Sequence, residues 1–317
     1  MKKKVLLGYN FHKEGFSSLE NDFDLTYPES EYFSRGEVLE ILPSFDVLVP
    51  SFKFQTDKEI IERGDNLKLI ANFGVGYNNI DVDYAANKGI TVTNTPDSVL
   101  EPTAELCFGL MVTAARRISY YDRNIRIPKK LSWGLYDNPG IGLYGKTLGI
   151  FGMGRIGQAV ARRAVAFGMN IIYHNRKPLD AETESRYNAR YVSLEELFAE
   201  SDVLSLNAPA TPETYHFIGE EELKKMKSSA ILINASRGAL VNEAALANAL
   251  ANGDILGAGL DVFENEPKIF PALLSLDNVV LTPHAGTQTI EGRLEMQKEV
   301  ARNIKGFFEG GKISKVN

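Results

Sequence analysis

The sequence predicts an α/β protein of two domains, each built on a parallel sheet. Three observations carry this. The 317 residues exceed one typical domain and suit two of about 150. Short apolar runs alternate with polar, helix-like stretches, which is how a parallel sheet and its crossovers are written. That alternation occurs twice, on either side of an aperiodic stretch from Arg126 to Lys146.

Taken in order, the first set of strands is KVLLGY, FDVLVP, LKLIANFG and GITVTN, ending at about residue 99. Lys2, Lys3 and Lys4 stand before VLLGY, which is too short for the apolar region of a signal peptide and reads as the first strand. A long helix follows, starting near Pro102, where proline suits a first helical position, and running to about Tyr121. The Arg126–Lys146 stretch has proline, glycine and the only tryptophan, Trp133, without a clear period, and reads as an extended connection or intersubunit arm. Strands resume at TLGIF, MNIIYH, DVLSLNA, AILINA, ILGAGLDV and NVVLTP. Each is a nearly continuous apolar run, as expected where helices cover both faces of a sheet. The last pattern, EGRLEMQKEVARNIKGFF, is helical and stops at Gly310 and Gly311. If it packs back on the first domain, that domain is discontinuous: residues 1–99 with 287–317, against 100–286 for the second.

Composition excludes several classes. The apolar share of 44% and charged share of 24% are those of an ordinary globular chain. With 35 basic against 41 acidic side chains the formal charge is -6, and the signs are interspersed, so nucleic acid and anionic membrane are not favoured as partners. No apolar run approaches the ~20 residues of a membrane span. The single cysteine, Cys107, cannot form an internal disulfide, which suits a reducing cytoplasm, and its neighbours ELCFGLMV read as packing.

The stretch GIFGMGRIG, residues 149–157, carries the first chemistry. A strand, a tight turn and a helix follow one another there, the order a dinucleotide site requires. Gly152 permits the turn, Gly154 lets backbone approach a pyrophosphate, and Gly157 lets helix and strand pack closely. Phosphates would lie on the helix start, at Arg155 and Ile156, where N–H groups and the helix dipole favour negative charge. The next strand should end at the residue that reads the adenosine ribose, where an acid binds the 2′-hydroxyl of NAD. Here the sequence is His174-Asn175-Arg176-Lys177, and the first acid is Asp180. Arg176 and Lys177 suit a 2′-phosphate, so a preference for NADP over NAD is expected, although Asn175 can also hydrogen-bond an unphosphorylated ribose.

In an open parallel sheet, ligands bind beyond the carboxyl ends of the strands. Three strands end there in chemistry: AILINA in Ser236-Arg237-Gly238, ILGAGLDV in Asp261 and on to Glu266-Pro267, NVVLTP in His284-Ala285-Gly286. Reduction of a 2-oxo acid needs such a set. A hydride reaching the carbonyl carbon requires a proton for the oxygen, and a histidine, with an ordinary pKa of about 6.5, can donate it. Glu266 on the other ring nitrogen would orient the imidazole and favour its charged form. Arg237 can clamp the substrate carboxylate and polarise the carbonyl. His12, His174 and His216 lack this context and read as surface or structural. No metal is assigned.

At this point the chain resembles the D-isomer-specific 2-hydroxyacid dehydrogenases. The residues that carry the resemblance are NFGVGYNNIDVDYA, NTPDSVLEPTAELCFGLM, LYGKTLGIFGMGRIG, LNAPATPET, INASRGALVNEAAL, GLDVFENEP and LTPHAG, spread over nearly the whole chain. It implies two Rossmann-like domains with a cleft between them: a flavodoxin-like substrate domain made from both chain ends, and a dinucleotide-binding domain in the middle. It gives Arg237, Glu266 and His284 the roles just derived. It also places the substrate carboxylate at the backbone of Val75 and Gly76, and lines the cofactor with Thr103, Ala208, Pro209, Thr214, Ala235 and Asp261, the last near the nicotinamide amide, with Gly286 beside them. Family members are usually dimers clasped through the long helix and the arm, which implies a homodimer with Trp133 at its interface. Substrate choice should rest on Ser51-Phe52-Lys53-Phe54, where phenylalanines suit an apolar oxo acid or simply pack, and Lys53 suits a second negative group.

The expected activity is reduction of a small 2-oxo acid, such as glyoxylate, hydroxypyruvate or a branched oxo acid, by NADPH. Two other readings stay open. Phosphoglycerate dehydrogenase is one, lowered by the short run after the last helix. The other is a nucleotide-sensing binding protein, since a fold does not imply a function.

Overall fold

The computed structural model describes residues 2–51 and 54–317, and the chain divides into two compact units, Met1–Pro102 with Thr287–Asn317, and Thr103–Gly286. In the first unit the strands are β1 (Lys3–Leu7), β2 (Phe23–Thr26), β3 (Val47–Val49), β4 (Leu69–Ala71) and β5 (Thr91–Thr93). They form a parallel sheet in the order β2-β1-β3-β4-β5. Alternate residues explain why these runs are continuously apolar. Val5, Leu7, Val47, Val49, Leu69 and Ala71 face one core, while Leu6, Leu48, Ile70 and Val92 face another. Both faces are buried, so neither parity is polar.

The helix Ile290–Glu309 closes the first of these cores with Met296, Val300, Ala301 and Ile304. Thr289 caps its start by accepting the Gly292 N–H, and Gly310, at φ +75°, ends it. The last residues then pair with the edge of the sheet, Val316 N–H donating to the Val92 carbonyl.

In the second unit the strands are β6 (Thr147–Phe151), β7 (Asn170–His174), β8 (Ala189–Tyr191), β9 (Val203–Leu206), β10 (Ile231–Asn234), β11 (Gly257–Leu260) and β12 (Val279–Leu281). Their order is β12-β11-β10-β9-β6-β7-β8, again parallel throughout. The sequence of strands reverses between β6 and β9, and such a reversal opens a crevice at the strand ends. A core of Leu204, Leu206, Leu232, Leu246, Leu250 and Leu260 fixes those ends.

Two strands depart from the sequence expectation. β2 (FDLT) and β8 (ARY) lie at sheet edges, are short, and keep exposed polar members, so they lack the apolar run that marks the others. The long helix also differs. It begins at Leu100 and ends at Ala115, and a second helix runs Ile118–Ile125. The cause is a contact from the arm: Ile141 N–H donates to the Ala115 carbonyl at 2.8 Å, and Arg117 adopts φ +53°. Beyond Arg126 the arm has no regular structure up to Lys146, and Trp133, Leu135, Tyr136 and Tyr144 stand out from it, each more than four-fifths exposed. No helix among the described residues is long and apolar enough to cross a membrane.

Candidate active site

The glycine turn lies at the sheet reversal. Gly152 has φ +90°, and a Cβ built there would stand 2.8 Å from the Ala208 nitrogen, so the loops after β6 and β9 touch backbone to backbone. A Cβ at Gly157 would meet the Gly152 carbonyl at 2.6 Å. Gly154 is the opposite case: nothing lies within 4 Å of a Cβ there. It is the N-cap of the helix Arg155–Ala166, and no side chain among the described residues caps that helix. An uncapped helix start beside an open glycine fits the phosphates of a dinucleotide.

Asn175 works behind this turn. Its Oδ1 accepts the Met153 N–H at 2.7 Å, and its carbonyl accepts the Tyr191 hydroxyl at 3.2 Å. Arg176 and Lys177 follow, exposed. Across from them Glu213 is held below its ordinary range, first by the Thr211 hydroxyl and its own N–H, with the Arg176 charge adding to the effect. In the same turn Thr214 donates to the Pro209 carbonyl at 2.8 Å, which fixes the loop that begins at Ala208.

On the other half of the sheet, side chains at the strand ends build two turns. Asn234, the last residue of β10, accepts the Ser236 N–H and hydroxyl at 3.1 and 2.9 Å and donates to the Arg237 carbonyl at 2.9 Å. Arg237 donates to the Ser236 carbonyl at 2.6 Å. It keeps part of its surface, yet its desolvated guanidinium lies below its ordinary pKa, the Glu266 charge opposing the shift. Next to it, a Cβ at Gly238 would fall 1.9 Å from the Phe263 carbonyl carbon. Only glycine lets the Arg237 turn rest on the loop that bears Glu266.

Asp261, after β11, holds the histidine turn. Its Oδ1 accepts the Thr282 hydroxyl at 2.6 Å and the Ala285 N–H at 2.7 Å, and its Oδ2 the Gly286 N–H at 2.9 Å. Burial pushes the Asp261 carboxyl up in spite of these bonds. They secure His284 at φ +53°, a backbone conformation that costs a non-glycine residue roughly 1 kcal/mol. Glu266 then completes the site: Oε2 lies 2.8 Å from His284 Nδ1, and Oε1 accepts the Phe263 N–H at 3.1 Å. Burial pushes the Glu266 carboxyl up, but the hydrogen bond and charge of His284, the Phe263 N–H and the Arg237 charge outweigh it, and the group lies below its ordinary value.

Residues 108–286 match the family model described as "D-isomer specific 2-hydroxyacid dehydrogenase, NAD binding domain". A glyoxylate reductase of Thermococcus litoralis is 46% identical over 317 residues, covering 98% of this chain and 95% of that one. The chain belongs to the D-isomer-specific 2-hydroxyacid dehydrogenases. Two solved structures resemble this dehydrogenase closely. A glyoxylate reductase from Paecilomyes thermophila has 38% identity and a TM-score of 0.89, with 99% of this chain and 98% of that one covered. An NADPH-dependent glyoxylate/hydroxypyruvate reductase from Sinorhizobium meliloti, in complex with NADP and malonate, has 33% identity and a TM-score of 0.88, with 100% and 97% covered. This dehydrogenase is therefore an NAD(P)-dependent enzyme with two Rossmann-like sheets.

Arg237, Glu266, His284 and Asp261 come together in one unit, as do the glycine turn, Asn175, Ala208, Pro209 and Thr214. Thr103 lies against the histidine turn, its side chain 3.5 Å from a Cβ built at Gly286, and Ala235 is half-buried beside Ser236. Val75 and Gly76 belong to the other unit. There Asn72 binds the carbonyls of Gly74 and Gly76, and Asn94 that of Val75, while the N–H groups of Val75 and Gly76 donate to no other described residue. Phe52 and Lys53 lie outside the described residues.

Sequence reasoning missed three polar groups. His216 Nε2 is hydrogen-bonded to Glu264 Oε1, and buried Glu243 accepts backbone N–H groups from the Glu266 loop. Glu243 reads in sequence only as an acid opening a helix after Asn242, and its long-range partners leave no local signal.

Proposed function

We propose that this dehydrogenase reduces glyoxylate to glycolate, and hydroxypyruvate beside it to the D-2-hydroxy acid, with NADPH preferred over NADH. The observation that carries the proposal is the 2.8 Å contact of Glu266 with His284 Nδ1, on a loop that rests against the Arg237 turn. The relatives named above as glyoxylate reductases support the substrate class.

The nicotinamide supplies the hydride when it is bound. Arg237 holds the substrate carboxylate and polarises the adjacent carbonyl, and its desolvation strengthens both effects. With Nδ1 turned to Glu266, His284 delivers its proton to the carbonyl oxygen through Nε2. Glu266 stays ionised in neutral solution, balances the imidazolium and fixes the ring. The unit containing Val75 and Gly76 acts as the substrate domain, those two N–H groups receiving the carboxylate. Thr103, Ala208, Pro209, Thr214, Ala235 and Gly286 line the cofactor. Asp261 does so as well, while holding the turn of His284.

Arg176 and Lys177 support the NADPH preference, since they stand exposed where an NAD enzyme would present an acid. The apolar side chains of the arm, Trp133, Leu135, Tyr136 and Tyr144, support a homodimer. Buried, unpaired Cys107 suits the reducing cytoplasm.

The test is the initial rate of NADPH and NADH oxidation over glyoxylate, hydroxypyruvate, pyruvate, phenylpyruvate and 2-oxoisocaproate. The proposal expects glyoxylate and hydroxypyruvate with NADPH to have the highest kcat/KM. A preference for phenylpyruvate, or for NADH, would overturn that part of it.

A further inference from the structure

Glu266 lies on an irregular loop between β11 and Pro271, and its distance to His284 depends on how that loop is held. Glu243 holds it. This is the first residue of the helix Glu243–Asn252 and is only 4% exposed, which is unusual for a glutamate. Its Oε1 accepts the Glu264 N–H at 2.8 Å and its Oε2 the Phe270 N–H at 3.2 Å. These two N–H groups flank Glu266 in sequence. One carboxylate, anchored on a helix start that favours negative charge, therefore spans both ends of the loop. Glu264 returns the contact: its Oε2 faces the Glu243 N–H at 3.5 Å, and its Oε1 is hydrogen-bonded to His216 Nε2.

We propose that Glu243 is the positioning residue of the proton-transfer pair: by clasping both ends of the loop it keeps Glu266 on His284 Nδ1 and so holds the ring in the geometry from which His284 delivers its proton. The proposal rests on the roles given above to Glu266 and His284. The charged groups around the clasp are Glu264, Glu266 and Lys268 on the loop, His216 beyond Glu264, and Arg237 and His284 beyond Glu266, while the helix Pro271–Leu274 brings none. Burial pushes the Glu243 carboxyl up against its two hydrogen bonds, and the charges of Glu264 and Glu266 push the same way. Acidification therefore removes its charge before that of an ordinary glutamate.

The test compares Glu243→Gln, Glu266→Gln and the double variant in NADPH-dependent glyoxylate reduction, with NADPH affinity measured separately by fluorescence. Glutamine keeps the shape but presents an NH2 to one of the two N–H groups. The expected result for Glu243→Gln is a kcat lower by about tenfold with KM and NADPH affinity within about threefold, the same kcat-against-KM split as in Glu266→Gln. The double variant should be no slower than Glu266→Gln alone, because both changes act through one contact. A kcat left within about twofold of wild type by Glu243→Gln, or losses that multiply in the double variant, would overturn the clasp. If Glu266→Gln itself leaves kcat unchanged, the role of Glu266 falls instead. Should Glu243→Gln fail to fold, Glu243→Asp replaces it with the same two outcomes, since it keeps the charge but is one methylene short of spanning both N–H groups.

Discussion

Glu266 Oε2 lies 2.8 Å from His284 Nδ1, and the backbone on both sides of that contact is fixed by other residues, Phe263 N–H on Glu266 Oε1 and Asp261 on the histidine turn. The pair is thus ordered before a substrate arrives. Preorganisation of this kind is what a proton donor needs, because small displacements slow transfer steeply.

The carboxylate should leave its mark on the rate. Glu266→Gln exchanges the charged acceptor on His284 Nδ1 for a neutral amide, so reduction is expected to slow by about ten- to a hundredfold in kcat with NADPH affinity retained. A glutamine variant with the wild-type kcat would leave Glu266 with no orienting role. Stability follows from the lowered Glu266 pKa. Such a group contributes stability above its unfolded value, and the contribution is lost as pH falls through the folded one. Thermal melting of wild type minus Glu266→Gln should therefore shrink as pH falls below about 4.

Arg237 should be irreplaceable by lysine. A point charge cannot reproduce the planar fork on a carboxylate, so Arg237→Lys is expected to lower kcat/KM for glyoxylate by about a hundredfold, or roughly 3 kcal/mol, with NADPH affinity retained. Steady-state kinetics with an independent cofactor titration checks this, and equal loss of both would point to a collapsed turn.

Cofactor choice is expected to follow Arg176 and Lys177. The double change to alanine should lower kcat/KM for NADPH by about ten- to a hundredfold and leave that for NADH within about threefold. Equal losses with both cofactors would mean that these cations do not read a 2′-phosphate.

Trp133 is the only tryptophan and is 89% exposed in the single chain, so its emission reports assembly directly. Sedimentation at micromolar concentration should give a dimer, with emission blue-shifted from that of the urea-unfolded chain. A monomer with water-like emission would remove the arm from any interface.

Much of this was legible in the sequence because it is written locally. Strands buried on both faces are continuous apolar runs, and β1, β3 to β7 and β9 to β12 were read from them. The glycine turn, Arg237, Glu266 and His284 follow strand ends within a few residues, so reading the strands also located the chemistry. Edge strands β2 and β8 carry a weaker pattern. The helix break at Arg117 depends on Ile141, 24 positions along the chain from it. Asn175 could be read as a ribose ligand, but its bond to Met153 appears only in three dimensions. The pairing of His216 with Glu264 and the clasp of Glu243 are likewise tertiary, joining residues 48 and 21 apart.

The most direct test of the central claim is the single-turnover rate of glyoxylate reduction in His284→Gln under saturating NADPH. A proton donor at this position predicts a fall of about 10²- to 10⁴-fold with NADPH binding unchanged. A rate within threefold of wild type would contradict the account, because the proton would then come from elsewhere.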